Sequence, residues 1–201
     1  LPEITSEPVV SVDEDAVYSY TVTAVDPNDP YDVLTFSASV ISSWLTIDAE
    51  TGLLSGVPTN EFVGNNPVTV RVFDGIAYVD QSFVIEVINT NDTPVVDIEQ
   101  AFLLAENTAN GTAVGSVQGS DDDLGTTLSL WTIVGGNEHN AFTIDPVSGV
   151  ITVAESALLD FEAQTSSELV VTVSDGIATS AQQTITVNLI DVNEVPVVVE
   201  N

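Results

Sequence analysis

Apolar and polar residues alternate with a period of two through much of this chain. Runs such as TVTAV (21–25), VTVRVF (68–73), FVIEVI (83–88), LVVTVS (169–174) and TITVNLI (184–190) are rich in Val, Ile and Thr. Gly, Pro, Asn or Asp bound them, which predicts half-buried β-strands. VAESALLDFEAQ (153–164) is the best helix candidate, and a turn or short 3-10 segment is the most expected of it. The predicted fold class is all-β.

The pattern occurs twice. TIDAETGLLSG (46–56) matches TIDPVSGVITV (143–153) at an offset of 97, and VRVFDGIAYVDQSFVIEVINTNDTPVV (70–96) matches VTVSDGIATSAQQTITVNLIDVNEVPVV (171–198) at 101 to 102. Two copies of about 100 residues, each with several short strands, predict two tandem Greek-key β-sandwiches. The boundary is expected within NTNDTPVV (89–96), where Pro94 forces Thr93 toward an extended conformation. That gives one module over 1–93 and another over 94–201, joined end to end by a short linker.

Charge changes the picture. The 201 residues include 31 Asp and Glu but a single Lys or Arg, for a net charge of −30. A disordered acidic tail would lack apolar residues, yet 44% of this chain is hydrophobic and its mean hydropathy is +0.29. Nucleic-acid binding is excluded, because only Arg71 can neutralise a phosphate. Docking on an anionic membrane fails likewise, and without Lys there is no P-loop. Zero Cys rules out disulfides, thiolate metal sites and a Cys nucleophile. No run of 18 apolar residues predicts a membrane span, and the opening LPEITSEP reads as an excised fragment. The acidity has two compatible readings. One is solubility in high salt, where screening removes most of the repulsion. The other is a set of oxygen ligands for a hard cation such as Ca²⁺, clustered at turns.

Several motifs carry a family resemblance. The second half contains Ala105-Glu106-Asn107, Asp121-x-Asp123-x-Gly125, GGN with AFTIDPVSGVIT (135–152), Leu-Asp-Phe-Glu (159–162), VTVSDG (171–176) and DVNEVP (191–196). In that order they resemble a cadherin repeat. The first half, through EDAVYSYTVTAVDPND (14–29), SSWLTIDAETGLLSGVP (42–58) and VTVRVFDG (68–75), is similar to a dystroglycan-type cadherin-like module. The resemblance implies Ig-like or cadherin-like sandwiches in a large secreted or surface protein, bacterial in origin. The near-absence of Lys suits a marine or halophilic source.

It also implies Ca²⁺ sites, since loops gather at the ends of a sandwich. One junction ion would be held by Asn91, Asp121, Asp123 and Asp175, with backbone carbonyls near Thr93 and Thr127. A second would take Glu14, Asn89, Asp92 and Asp123. A third, shared through Glu14 and Asp92, requires Glu61. Asn89 stands where the family has Asp, and Glu61 substitutes for a missing Leu-Asp-Arg-Glu motif. At the far end Glu106, Asp160, Glu162, Asp191, Asn193 and Glu194 form a half-site. Asp26, Asn28 and Asp74 form another on the upper face of the first module.

His139 reads as an exposed loop residue, Trp44 as core, and Trp131 as core or edge with a sugar platform as its alternative. Arg71 points outward or pairs with an acid. No nucleophilic triad or glycine-bracketed elbow is readable, so an enzyme is not expected. The leading reading is a Ca²⁺-dependent adhesion and recognition module, with other cadherin-like modules or cell-surface polysaccharide as partners. The alternatives are a carbohydrate-binding module and a passive extender of an adhesin. No direct insertion into a membrane is expected.

Overall fold

A computed structural model describes residues 1–28, 33–123 and 125–194. The chain divides into two compact units, Leu1–Thr90 and Asn91–Asn201, a division three residues before the linker boundary expected from sequence. Among the described residues no helix is long and apolar enough to cross a membrane.

The first unit contains β1 (Glu3–Ile4), β2 (Ser11–Asp13), β3 (Tyr18–Thr21), β4 (Ala24–Val25), β5 (Thr35–Val40), β6 (Leu45–Ile47), β7 (Leu53–Gly56), β8 (Gly64–Phe73) and β9 (Tyr78–Ile88). One sheet has the order β2-β9-β8-β5, the facing sheet β3-β7-β6, and β1 pairs with β4. Alternation in β8 and β9 fixes their register. Val68 lies opposite Phe83 and Val72 opposite Val79, all facing inward, while Arg71 lies opposite Asp80 on the outer face. A one-residue slip would expose this whole apolar set. The run TVTAV is not one strand. Thr21 ends β3 on β7, and Ala24 begins β4 on β1, so the chain changes partners at Val22 and Thr23.

The second unit repeats this order with β10 (Val95–Val96), β11 (Ala101–Ala105), β12 (Ala113–Ser116), β13 (Gly119–Ser120), β14 (Ser129–Gly135), β15 (Phe142–Ile144), β16 (Val150–Val153), β17 (Ser166–Ser174) and β18 (Gln183–Ile190). Its sheets are β11-β18-β17-β14 and β12-β16-β15, with β10 on β13. In both units the second strand runs parallel to the last. Each unit is therefore a β-sandwich with its own core. Tyr18, Leu54, Val70 and Ile85 centre the first, and Trp131, Phe142, Leu169 and Ile185 the second. A 3-10 turn over Ser156–Leu158 falls in the ambiguous 153–164 segment.

The repeated TIDxxxG motif is a turn device. Asp48 Oδ1 accepts the N–H groups of Glu50 and Thr51 and the Thr51 hydroxyl. Asp145 Oδ1 does the same for Val147, Ser148 and the Ser148 hydroxyl. The closing glycines adopt left-handed φ values of 70° at Gly52 and 67° at Gly149. A Cβ on Gly52 would stand 2.5 Å from the Val22 carbonyl oxygen, so the position admits only Gly. The Thr51 N–H, the Thr51 hydroxyl and the Glu50 N–H hold the Asp48 carboxyl below its ordinary 3.8. The Ser148 N–H and hydroxyl, then the Val147 N–H, do so for Asp145. Folded-state values below unfolded ones add stability above the unfolded pKa, and it is lost as pH falls through the folded pKa. The double substitution Asp48→Asn, Asp145→Asn is expected to lower the thermal midpoint at neutral pH and to flatten its decline in acid. Circular dichroism melts across the acid range check this, and an unaltered acid limb would count against it.

Candidate metal centres

The loops after β13 and β17 and the segment before β10 meet at one end of the second sandwich. Asp121 Oδ1 accepts the Asp123 N–H at 2.8 Å, which bends this loop back on itself. Asp123, 9% exposed, uses Oδ2 to accept the Asp92 N–H at 2.8 Å. Asp175 Oδ1 accepts the N–H groups of Ile177 and Ala178, and its Oδ2 accepts Asn91 Nδ2 at 2.9 Å. The N–H groups of Ala178 and Ile177, with Asn91 behind them, depress the Asp175 carboxyl. Asn91, Asp92, Asp121, Asp123 and Asp175 are thus tied into one hydrogen-bonded end. Asp121 Oδ2 is buried and has no donor.

A second acidic group lies at the end of β11 and β18. Glu106 is 3% exposed, with Oε1 on the Val192 N–H and Oε2 on the Phe161 N–H, each at 2.7 Å. One carboxylate oxygen each from Glu106, Glu162 and Asp191 lies within 4.8 Å of the others. The Glu162 N–H draws its carboxyl down, but desolvation and the charges of Glu106, Glu194 and Asp191 outweigh it, so the group titrates above its ordinary value. Asp160 is turned to its own loop, accepting the Ala163 N–H at 3.0 Å. Glu194 Oε1 accepts Asn107 Nδ2, and Asn193 Nδ2 is 3.5 Å from the Glu194 carbonyl oxygen. Val195 and Pro196 of the last motif lie outside the described residues.

In the first unit Glu14 takes the place of Glu106. Its N–H donates to the Ile88 carbonyl as that of Glu106 does to Ile190. Asp15 and Asn107, which follow, have φ values of 57° and 56°. Glu14 Oε1 accepts the Thr90 N–H at 2.5 Å, but Oε2 is buried without a donor. The difference has a local cause. Asp15 bonds to the Pro58 carbonyl and Asn107 to that of Leu159, so Pro58 and Leu159 correspond. The 3-10 turn precedes Leu159 in the second unit but follows Pro58 in the first, over Asn60–Phe62. The coil after Pro58 brings no N–H to Glu14 Oε2. Glu61 is exposed on that turn and joins no close acidic triplet among the described residues. Asn89 is exposed, with Nδ2 on the Thr90 carbonyl.

At the other end of the first unit Asp26 and Asp74 occupy the turns equivalent to those of Asp121 and Asp175. Asp26 Oδ1 accepts the Asn28 N–H, and Asp74 Oδ1 those of Ile76 and Ala77.

All these ends offer carboxylate and amide oxygens, with no thiolate or imidazole among them, and two buried carboxylate oxygens lack donors. That donor chemistry fits a hard divalent cation such as Ca²⁺. Sequence reasoning did not foresee that Glu14 and Glu106 also hold backbone N–H groups. The signal was their position at the exit of the strand that pairs parallel with the last one.

Elsewhere, Trp131 is 6% exposed in the second core, which removes it as a sugar platform. Trp44 packs edge-on against Tyr18 at 5.7 Å between ring centroids, and its Nε1 donates to Asn66. His139 is exposed. Arg71 makes a bidentate pair with Asp80 at 2.8 and 2.9 Å and stacks 3.6 Å from the Tyr78 ring centroid.

Two β-sandwiches with acidic loop ends define the class of protein. Residues 100–190 match the Cadherin domain family, and residues 2–88 match the family described as "Putative Ig domain". The second unit is thus a cadherin-like module, and the first matches a family of Ig domains. Cadherin-related family member 1 of Gallus gallus is 28% identical over 191 residues, 88% of this chain and 22% of that protein. Protocadherin Fat 4 of Mus musculus is 35% identical over 161 residues, 76% of this chain and 3% of that protein. The chain spans less than a quarter of these relatives. The crystal structure of human protocadherin-24 EC1-2 has a TM-score of 0.59 and 19% identity, covering 94% of this chain and 99% of that one. Mouse cadherin-23 EC22-24 gives 0.57 and 20%, covering 95% and 67%. These likenesses are of fold.

Glu106→Ala would leave the part-buried N–H groups of Phe161 and Val192 without this acceptor. A cost of about 1–3 kcal/mol is expected in urea unfolding of the second unit. A loss below about 1 kcal/mol would show that this carboxylate does not hold the end together.

Proposed function

We propose that this chain is a Ca²⁺-dependent adhesion and recognition segment of an extracellular or surface protein. Its junction is stiffened when Glu14 and Asn89 of the first unit share cations with Asn91, Asp92, Asp121, Asp123 and Asp175 of the second. The observation that carries the reading is the pair of buried donorless oxygens, Glu14 Oε2 and Asp121 Oδ2. Each belongs to a carboxylate whose other oxygen already holds a backbone N–H. The backbone supports it as well. Thr90 donates to Glu14, and Asp92, two residues on, donates to Asp123. One short stretch of chain therefore anchors carboxylates of both units.

Like charges about 4 Å apart repel by about 1 kcal/mol in water and about 4 kcal/mol near a protein surface. With no cation, these groups push apart and the linker hinges. Bound Ca²⁺ supplies the positive charge and the six to eight oxygen coordination that reverse the sign. At a free concentration about a hundredfold over Kd, each ion adds about 2.7 kcal/mol to the state that binds it. Extracellular modules of this kind work at about 10⁻⁴–10⁻³ M Ca²⁺, which favours an extracellular setting. Glu61 is assigned the weakest role, since it lies exposed on its own turn.

Calorimetric titration of the full chain tests this. Asp123→Ala is expected to lower the Ca²⁺ stoichiometry while chelated protein keeps its strand content. Glu14→Gln removes the donorless oxygen, and is expected to raise the melting temperature in chelator and shrink the rise caused by Ca²⁺. Unchanged stoichiometry in Asp123→Ala overturns the assignment.

A further inference from the structure

Two Asn-x-Thr triplets occur in the sequence, Asn91-Asp92-Thr93 and Asn110-Gly111-Thr112. Such a triplet, with no Pro in the middle, is the acceptor pattern for an N-linked glycan on a surface loop of a secreted protein. The structure separates the two. The side-chain nitrogen of Asn91 donates to Asp175 Oδ2 and to the Asp92 carbonyl. Pro94 biases Thr93 toward extended backbone. Asn110 lies instead in the loop between β11 and β12, where 109–113 are all exposed. Its Oδ1 accepts the Ser156 N–H at 2.6 Å, and its Nδ2 donates to nothing among the described residues.

The backbone presents this triplet on a fixed turn. The Thr112 N–H donates to the Ala109 carbonyl at 3.2 Å, with Asn110 and Gly111 between them. The Gly111 N–H reaches the Val153 carbonyl at 2.7 Å, and the Thr112 carbonyl accepts the Val153 N–H at 2.9 Å, which pins the turn to β16. Gly111 has a φ of 82°, and a Cβ built on it would meet no atom within 4 Å, so the turn faces open space. The Thr112 hydroxyl is also without a partner among the described residues.

We propose that Asn110 is an N-glycosylation site, the acceptor of an oligosaccharide carried on a lipid diphosphate. In the transfer Asn110 Nδ2 bonds to the anomeric carbon of the sugar, and the bond from that carbon to the diphosphate oxygen breaks. The lipid diphosphate leaves with the electron pair, and one Nδ2 proton passes to a base of the transferase. The product is a secondary amide that keeps its carbonyl. The Ser156 N–H therefore keeps its acceptor, and the fold gives up no hydrogen bond on modification. Asn91 differs, because both of its Nδ2 bonds are in use and a glycan would leave one proton for two acceptors.

Asn110 as an acceptor rests on the extracellular setting of the proposed function and uses none of its metal ligands. The test is to secrete the full chain from a eukaryotic cell behind an added leader, and to read its intact mass before and after peptide-N-glycosidase. The parent and Asn91→Gln are expected to carry a glycan mass that the enzyme removes, converting Asn110 to an aspartate. Asn110→Gln and Thr112→Ala are expected to carry none. Thr112→Ala keeps Asn110 and its bond to Ser156, so its loss of the glycan is not a loss of that contact. A secreted parent without a glycan overturns the proposal. So does a glycan that survives Asn110→Gln or Thr112→Ala, or one that is lost in Asn91→Gln. Because the leader supplies secretion, any of these failures leaves the Ca²⁺ titration of the same chain to judge the metal reading separately.

Discussion

Carboxylates hydrogen-bonded to main-chain N–H groups are the interaction on which this structure depends. With 31 acidic residues and one Lys or Arg, ion pairing cannot neutralise them, and the single bidentate pair is Arg71 with Asp80. Turn N–H groups take over instead. Asp48, Asp74, Asp145 and Asp175 each accept two of them from one oxygen. The same bonds that fix the turns thus make the ionised form the favoured one. Acidity here is a structural material rather than a coating.

That economy explains what could be read from the sequence. Strand alternation is a direct consequence of one buried face, so the long strands β8, β9, β17 and β18 were legible. The repeated TID and DG motifs were legible too, because an Asp followed by a left-handed Gly has few other uses. What escaped was the part set by partners rather than by period. TVTAV reads as one strand, and only the pairing of β1 with β4 shows why it is two. Trp131 sits in a strand pattern that leaves its face open, and packing against Phe142 and Val117 decides for the core.

The candidate site was legible in its residue types and less so in its wiring. The resemblance implies Asn91, Asp92, Asp121, Asp123 and Asp175, but it does not tell that one oxygen of Asp123 is committed to the Asp92 N–H. Asp160 shows the limit clearly. Its place in Leu-Asp-Phe-Glu suggests a ligand, and the structure adds that its Oδ1 caps the Ala163 N–H. A carboxylate has two oxygens, and a motif does not say which of them the backbone takes.

Glu14 and Glu106 carry this argument furthest. They occupy the same position after the strand that runs parallel to the last one, and both are nearly fully buried. Glu106 finds an N–H for each oxygen. Glu14 finds one, because Pro58 is followed rather than preceded by its 3-10 turn. A buried carboxylate oxygen without a donor is costly, so the fold of the first unit leaves Glu14 with one unmet oxygen where Glu106 has none. Two copies of one architecture therefore differ in how the backbone meets this glutamate, and the difference traces to the placement of a single short turn.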